Sequence, residues 1–289
     1  MDQTIRRIAV IGAGQMGRGI AQVAASAGID VVLSDVSAEV ADKGKQSIGA
    51  VLARLVEKAK ITEDDRKGTL DRIKPSGAGE GLSDCDLAVE AVSEQFETKV
   101  AIFKATDRAL KSGAILASNT SSISITKLAR ETSRPDRVIG MHFMNPVPLM
   151  KLVEIVKGVQ TSSATYDETR ALSERLGKTV ITSNDAPGFM VNRILIPLLC
   201  EAAFALQEGV GSAADIDTGA KLGLNHPMGP LELADLIGLD TVLAISEVLH
   251  RETGDSKYRA PTNLRNLVAA GWLGKKAGRG FYSYEKAAK

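Results

Sequence analysis

Six residues near the amino end, Gly12-Ala13-Gly14-Gln15-Met16-Gly17, fit the pattern G-x-G-x-x-G. Alone, the pattern is common in glycine-rich turns. Here it follows the apolar run Ile8–Ile11 and opens a small-residue, helix-compatible stretch, Gly17–Ala27. An acid, Asp35, ends the next β-branched run, Val31–Leu33, about 20 residues on. Strand, glycine turn, helix and acid in that order are what a dinucleotide requires. Gly12 permits the tight turn, Gly14 lets the backbone approach a pyrophosphate, and Gly17 lets the helix pack closely. The helix N-terminus, from Gln15 and Met16 onward, then offers unpaired N–H groups to the phosphates. Asp35 is suited to accept hydrogen bonds from ribose hydroxyls, and a 2′-phosphate there would meet a like charge. Neither Val36 nor Ser37 supplies an arginine to offset it, so the site reads as one for NAD rather than NADP.

The chain has three histidines. His250 ends a helical run beside Arg251 and reads as exposed. His226 falls in the loop Leu224-Asn225-His226-Pro227 and reads as structural. His142 follows the β-branched run Val138–Gly140, in Met141-His142-Phe143-Met144-Asn145-Pro146. That puts it at the carboxyl end of a sheet strand, where doubly wound folds bind ligands. An imidazole there is either a proton carrier or a structural group, and position alone does not choose between them.

The elements that must hold these residues alternate through the first half of the chain. Leu87–Val92 is apolar apart from Glu90, and Ile115–Ala117 and Val138–Gly140 are further strand-like runs. Continuous apolar runs alternating with helices predict an α/β fold, a Rossmann-type doubly wound parallel sheet. A helical insertion interrupts it: Ala38–Lys60 has helical periodicity, and Ile61–Ser83 reads as helical first, then Gly- and Pro-containing. The pattern changes at Asp185-Ala186-Pro187-Gly188. Beyond it, Phe189–Gln207 (with Pro197 inside), Ala213–Leu222 with a start signal at Ser212, Pro230–Ile237 and Thr241–His250 are helical. Two domains are expected: an NAD-binding Rossmann-like domain over 1–186 and an all-helical substrate and dimerisation domain over 187–289.

The segments Ser118-Asn119-Thr120-Ser121-Ser122, His142-Phe143-Met144-Asn145-Pro146, Pro187-Gly188-Phe189-Met190-Val191-Asn192-Arg193, Gly229-Pro230-Leu231-Glu232-Leu233 and Gly274-Lys275-Lys276 leading to Gly280-Phe281-Tyr282 together resemble the L-3-hydroxyacyl-CoA dehydrogenase family. Within it they most resemble the bacterial 3-hydroxybutyryl-CoA dehydrogenases. The resemblance spans nearly the whole chain in the family's order. It implies NAD-dependent, reversible oxidation of a short-chain (S)-3-hydroxyacyl-CoA to the 3-oxoacyl-CoA. By the same resemblance His142 is the general base for the 3-hydroxyl, Glu154 the carboxylate that holds its imidazole, and Ser121 and Asn192 the groups that hydrogen-bond the reacting oxygen. Asn145 lies near the nicotinamide ribose in relatives. Asn119, Glu94 and Lys99 match cofactor contacts along the cleft, and Lys276 matches one from the C-terminal segment.

The chemistry fits these residue types. Hydride leaves C3 for the nicotinamide while the hydroxyl proton goes to a base, and an imidazole, with an ordinary pKa of about 6.5, accepts and returns it near neutral pH. A nearby carboxylate fixes the tautomer, and hydroxyl and amide donors support charge on oxygen. No metal is implied, since histidine does the proton work and NAD the redox work. Simpler roles stand beside these. Glu154 alternates with Leu152 and Ile155 in a way that leaves its facing open, so it could pair with Lys151 or Lys157 at the surface. Ser121 could cap the following helix. For CoA, relatives use the helical insertion, where Arg54 and Lys58 stand one turn apart to meet phosphates. Relatives often carry a serine near position 51, where this chain has Val51.

Composition bounds the alternatives. With 289 residues, 44% hydrophobic and 25% charged, the chain is an ordinary globular protein. A net charge of +1 implies no general attraction to nucleic acid or membrane. Two cysteines, Cys85 and Cys200, are too few and too far apart for a disulfide framework or metal spacing. The apolar run after Met1–Arg7 is too short for a signal peptide, and no run of about 18 apolar residues exists. A cytoplasmic homodimer is expected. The competing readings are a sugar-acid dehydrogenase of the L-gulonate type, which shares the histidine motif, and an enzyme preferring NADP. A 3-hydroxyisobutyrate-type enzyme would use a lysine base in a different motif. A crystallin-like protein without activity would be expected to have lost His142 or Asn192.

Overall fold

The computed structural model describes residues 5–284; residues 1–4, the start of the Met1–Arg7 segment, lie outside it. The chain divides after Ala186 into two compact units.

The first unit runs β1 (Arg7–Ile11), α1 (Gln15–Ser26), β2 (Asp30–Ser34), α2 (Ala38–Glu57), α3 (Glu63–Asp71), β3 (Ile73–Ser76), β4 (Leu87–Glu90), α4 (Phe96–Ala109), β5 (Ile115–Ser118), α5 (Ile125–Ala129), β6 (Val138–Phe143), β7 (Leu152–Lys157), α6 (Ser163–Arg175) and β8 (Thr179–Asn184). The eight strands form one sheet in the order β3-β2-β1-β4-β5-β6-β7-β8. All neighbours are parallel except β6 and β7. Chain order reverses direction between β1 and β4, and that switch point is where such sheets take ligands. The parallel strands are buried on both faces, as their continuous apolar sequences require. Ile8, Val10, Leu33, Val89, Ile115 and Ile139 share one core with Ile20, Ala21 and Ala24 of α1.

The expected doubly wound sheet is present, and α2 and α3 are the helical insertion. Ser37 caps α2 by accepting from Val40 N–H, and Thr62 and Asp65 form a capping box on α3. Three strands go beyond the sequence expectation. β3 lies inside the stretch read as Gly- and Pro-containing loop. It is an edge strand, so Pro75 costs it no ladder bond on its open side. β7 and β8 extend the sheet past β6. β6 itself continues to Phe143, three residues past the expected Gly140.

The second unit packs α7 (Val191–Gln207), α8 (Ala213–Gly223), α9 (Pro230–Ile237), α10 (Leu239–Thr253) and α11 (Thr262–Ala269) around Ile196, Leu199, Leu239, Val242, Leu249, Tyr258 and Leu264. Phe189 takes a positive φ of 51° just ahead of α7, so the long apolar run starts two residues before its helix. Among its described residues the unit is helical but for isolated antiparallel bridges, Gly274 to Arg279 and Arg279 to Ser283.

Two buried aspartates organise its C-terminal segment. Asp217 accepts from Leu231 and Glu232 N–H and from the Tyr282 hydroxyl (2.7 Å). Asp235 accepts from Phe281 and Tyr282 N–H and from the Tyr284 hydroxyl. Burial pushes the Asp235 carboxyl up despite these bonds. The glycines of the C-terminal motifs follow from this packing. A Cβ on Gly229 would come within 2.2 Å of Asp217, and one on Gly280 within 2.0 Å of Asp235.

Candidate active site

The glycine turn leaves β1 at the switch point. Gly12 has φ +106°, and a Cβ there would stand 2.7 Å from the Ala91 carbonyl beyond β4. Only glycine satisfies both the dihedral and the close approach. A Cβ on Gly17 would lie 1.7 Å from the Gly12 carbonyl, so Gly17 lets α1 pack on the turn itself as well as on Val10 of the strand. Gly14 faces open space, with nothing within 4 Å of where a Cβ would be. It precedes α1, whose first turn has no side-chain cap and no acid. Asp35, just past β2, accepts from Ala13 N–H (2.6 Å) and Val36 N–H (2.7 Å). Its carboxylate therefore braces the glycine turn and keeps spare lone pairs. An open glycine backbone, an uncapped helix start and a partly exposed carboxylate fit a dinucleotide. The pyrophosphate would go to the Gly14–Gly17 amides, with Met16 half-buried among them, and the ribose to Asp35.

Strand register sets the next shell. Ile11 is level with Glu90, Glu90 with Ser118, and Ser118 with Gly140 across β1, β4, β5 and β6. His142 stands two residues farther along β6, about 7 Å beyond that row. It is inside the strand rather than after it, because β7 pairs with it there. Glu154 of β7 is its direct antiparallel partner, and His142 Nδ1 lies 3.0 Å from Glu154 Oε2. His142 is 7% exposed and Glu154 0%. The facing of Glu154 is thereby decided: it is buried against the imidazole, while Lys157 lies over the Tyr166 ring. A carboxylate only accepts, so in this hydrogen bond the imidazole Nδ1–H is the donor.

Behind the turn that follows β5 is a cluster of charges. Glu90, fully buried at the end of β4, accepts from Lys99 Nζ (2.6 Å), Val92 N–H (2.7 Å) and the Ser118 hydroxyl (2.7 Å). Lys99 also pairs with Glu94 at 3.2 Å. Glu94 in turn gathers Thr120 Oγ1, Ser121 N–H and Ser122 N–H and Oγ on one oxygen, with the Ser121 hydroxyl at 3.3 Å. Burial would raise the Glu94 carboxyl, but the Lys99 ammonium and these donors outweigh it and hold it below its usual range. Asn119 accepts from Phe143 N–H (2.9 Å), which ties the turn to β6.

This arrangement corrects two expectations. Lys99, expected along the cleft, is 1% exposed, and its ammonium is engaged by Glu90 and Glu94 rather than open to a ligand. Ser121 does not cap the next helix: Ser124 does, accepting from Lys127 N–H. Glu90 and Ser118 were not singled out from sequence, although an acid inside a buried strand run is itself a signal, since a buried charge needs partners.

The other candidates are distributed as follows. Asn145 and Gln15, both exposed, bond to each other, Gln15 Nε2 to Asn145 Oδ1 at 3.0 Å. Arg54 and Lys58 are exposed at the C-terminal end of α2, where cations also complement the helix dipole. In the second unit, Asn192 is buried on the first turn of α7. Lys276 there pairs with both oxygens of Asp240 (2.6 and 2.8 Å) rather than standing as an isolated cation. His226 is in a loop and His250 exposed on α10. A cleft of about 460 Å³ opens at the other end of the sheet, beside Arg7, Asp30 and Arg72. Its arginines face acids, Arg72 with Asp30 and Arg7 with Asp84. No helix among the described residues is long and apolar enough to cross a membrane.

Residues 7–186 match the family model described as 3-hydroxyacyl-CoA dehydrogenase, NAD binding domain, and residues 188–284 match that of its C-terminal domain. A 3-hydroxybutyryl-CoA dehydrogenase of Bradyrhizobium diazoefficiens is 53% identical over 287 residues, covering 99% of this chain and 98% of its own. The mitochondrial hydroxyacyl-coenzyme A dehydrogenase of Sus scrofa is 44% identical over 289 residues, covering 97% and 92%. Among solved structures, the (S)-3-hydroxybutyryl-CoA dehydrogenase of Ralstonia eutropha has a TM-score of 0.95 at 52% identity, covering 98% of this chain and 100% of that one. The motifs implied the same relationship: the chain belongs to the 3-hydroxyacyl-CoA dehydrogenase family.

Proposed function

We propose that this chain oxidises a short-chain (S)-3-hydroxyacyl-CoA, 3-hydroxybutyryl-CoA foremost, to the 3-oxoacyl-CoA with NAD, and runs the reverse reduction. The observation that carries the reading is the buried His142–Glu154 pair at 3.0 Å, on the same sheet as the glycine turn and Asp35. When bound, NAD supplies the hydride acceptor. His142 takes the proton of the substrate 3-hydroxyl at Nε2. Glu154 holds the imidazole by Nδ1 and stabilises the imidazolium that results, and in the reverse direction His142 returns the proton. Glu94 holds the serine turn and so fixes Ser121. In the assigned role the Ser121 hydroxyl turns from its long bond to Glu94 to donate to the reacting oxygen. Asn192 carries the family's second donor to that oxygen. Gln15, Met16, Asn119, Asn145, Glu94 and Lys276 are assigned to the cofactor, with Lys99 behind Glu94. Arg54 and Lys58 are assigned to the CoA phosphates.

The same reading includes a cytoplasmic homodimer. Its support is the exposed apolar surface of the helical unit, where Ile194 and Leu222 are 69% and 84% exposed, and two free cysteines that are both buried. A monomer in sedimentation at micromolar concentration would refute the dimer. Initial rates of NADH and NADPH oxidation across a ladder of 3-oxoacyl-CoA lengths, with NAD-linked oxidation of L-gulonate as a separate arm, test the activity. The reading predicts preferred use of acetoacetyl-CoA with NADH. Turnover of L-gulonate without turnover of acetoacetyl-CoA would overturn it.

A further inference from the structure

Between β6 and β7 runs the connection Met144–Lys151. It joins the two strands that bear His142 and Glu154 and carries Asn145. Its inner carbonyls, Val147 and Met150, turn toward the sheet. Lys178, just ahead of β8, donates to both, at 2.6 and 2.8 Å. Lys178 is 8% exposed, and burial alone pulls its ammonium below the usual lysine range, with no carboxylate contributing. A buried cation spent on two neutral carbonyls is costly, and an apolar side chain would be the ordinary occupant. What the cation gains for the protein is order in the connection.

Three further contacts give that order a direction. The Val147 side chain is buried against Gly19 of α1, where a Cβ would come within 2.7 Å of it. Asn145 accepts from Gln15 at the start of α1. Lys151 carbonyl accepts from Thr179 N–H, directly after Lys178. The connection is therefore fastened to β8 on one side and to the dinucleotide helix on the other. The dyad, by contrast, is held by strand pairing and does not need the clamp.

We propose that Lys178 is a positioning residue for cofactor binding: its ammonium clamps the Val147 and Met150 carbonyls and so presents Asn145 beside Gln15 to the nicotinamide half of NAD. The assignment of Asn145 rests on the functional reading above. Lys178 touches neither substrate nor cofactor and acts through the connection.

The test is a fluorescence titration of NADH with the full-length protein, alongside steady-state reduction of acetoacetyl-CoA. Lys178→Met should raise the Kd and KM for NADH by about tenfold, the scale of one buried acceptor left unsatisfied, and leave kcat within a few-fold. A merely structural role would lower the melting temperature and the active fraction without moving Kd. Asn145→Ala should raise Kd as well, and Lys178→Met added to it should raise Kd by less than it does alone, since both act through one element. If Lys178→Met does not accumulate folded, Lys178→Gln, whose shorter and neutral side chain lacks the ammonium that spans both carbonyls, is read in the same assay and should raise the Kd as well. An unchanged NADH Kd in whichever variant folds, or full additivity with Asn145→Ala, overturns the proposal. Absence of wild-type turnover would overturn the functional reading instead, while the NADH titration would still decide the role of Lys178.

Discussion

His142 of β6 and Glu154 of β7 are direct partners across the one antiparallel pairing in the sheet, with Nδ1 and Oε2 3.0 Å apart. Residues opposite one another in an antiparallel pair project to the same face, so backbone pairing aligns the dyad without help from a loop. Glu154→Gln keeps the shape and removes the charge that stabilises imidazolium. We expect kcat to fall by about a hundredfold, with the Kd for NADH unchanged. A fall of only a few-fold in steady-state assays would remove Glu154 from the mechanism.

Asp35 braces Ala13 N–H of the glycine turn, and in the proposed function it also receives the ribose. Asp35→Ser combined with Val36→Arg removes the like charge and adds a cation at an exposed position. The ratio of kcat/KM for NADPH to that for NADH should rise by at least about tenfold, and NADH turnover should weaken because the brace is lost. An unchanged ratio would separate Asp35 from cofactor choice.

Glu94 gives a pH signature. Burial would raise its carboxyl, but Lys99 and the serine-turn donors lower it below the ordinary 4.5. With the folded value depressed, the unfolded chain takes up the proton first. The stability Glu94 contributes is thus fully present above the unfolded value and is lost as pH falls through the folded one. Glu94→Gln should melt below wild type at pH 7, and the gap should narrow as pH drops below about 4.5. A gap that stays constant from neutral to acid pH would contradict this account.

What was legible in the sequence is chemistry carried by neighbours along the chain. The glycine turn, Asp35 and the His142 motif each declare themselves within a few residues, and the alternation of apolar runs with helices gave the doubly wound sheet. What was not legible depends on pairing at a distance. β3 contains Pro75, which argues against a strand unless the edge position is known. The facing of Glu154 follows only from its register against β6. Glu90 breaks an apolar run, yet its partners Lys99 and Ser118 lie 9 and 28 residues away. Lys178 reads as a surface lysine until the Val147 and Met150 carbonyls are brought over it.

In the helical unit, the Tyr282 hydroxyl lies 2.7 Å from Asp217 Oδ2 and 2.9 Å from the Ala213 carbonyl, two acceptors that share its single proton. Burial, and then the Asp217 carboxylate, push that hydroxyl well above the usual tyrosine range, so it stays a donor. Tyr282→Phe removes the donor and leaves Asp217 with two amides. We expect a loss of about 2 kcal/mol in urea unfolding. No shift in midpoint would mean that the Tyr282 hydroxyl contributes nothing to holding the C-terminal segment.

The most direct measurement is the reduction of acetoacetyl-CoA by NADH in His142→Ala, beside an NADH titration of the same protein. If Nε2 of His142 carries the proton, kcat falls by about 10²–10⁴-fold while NADH binds as in wild type. Turnover within a few-fold of wild type would contradict the account at its centre.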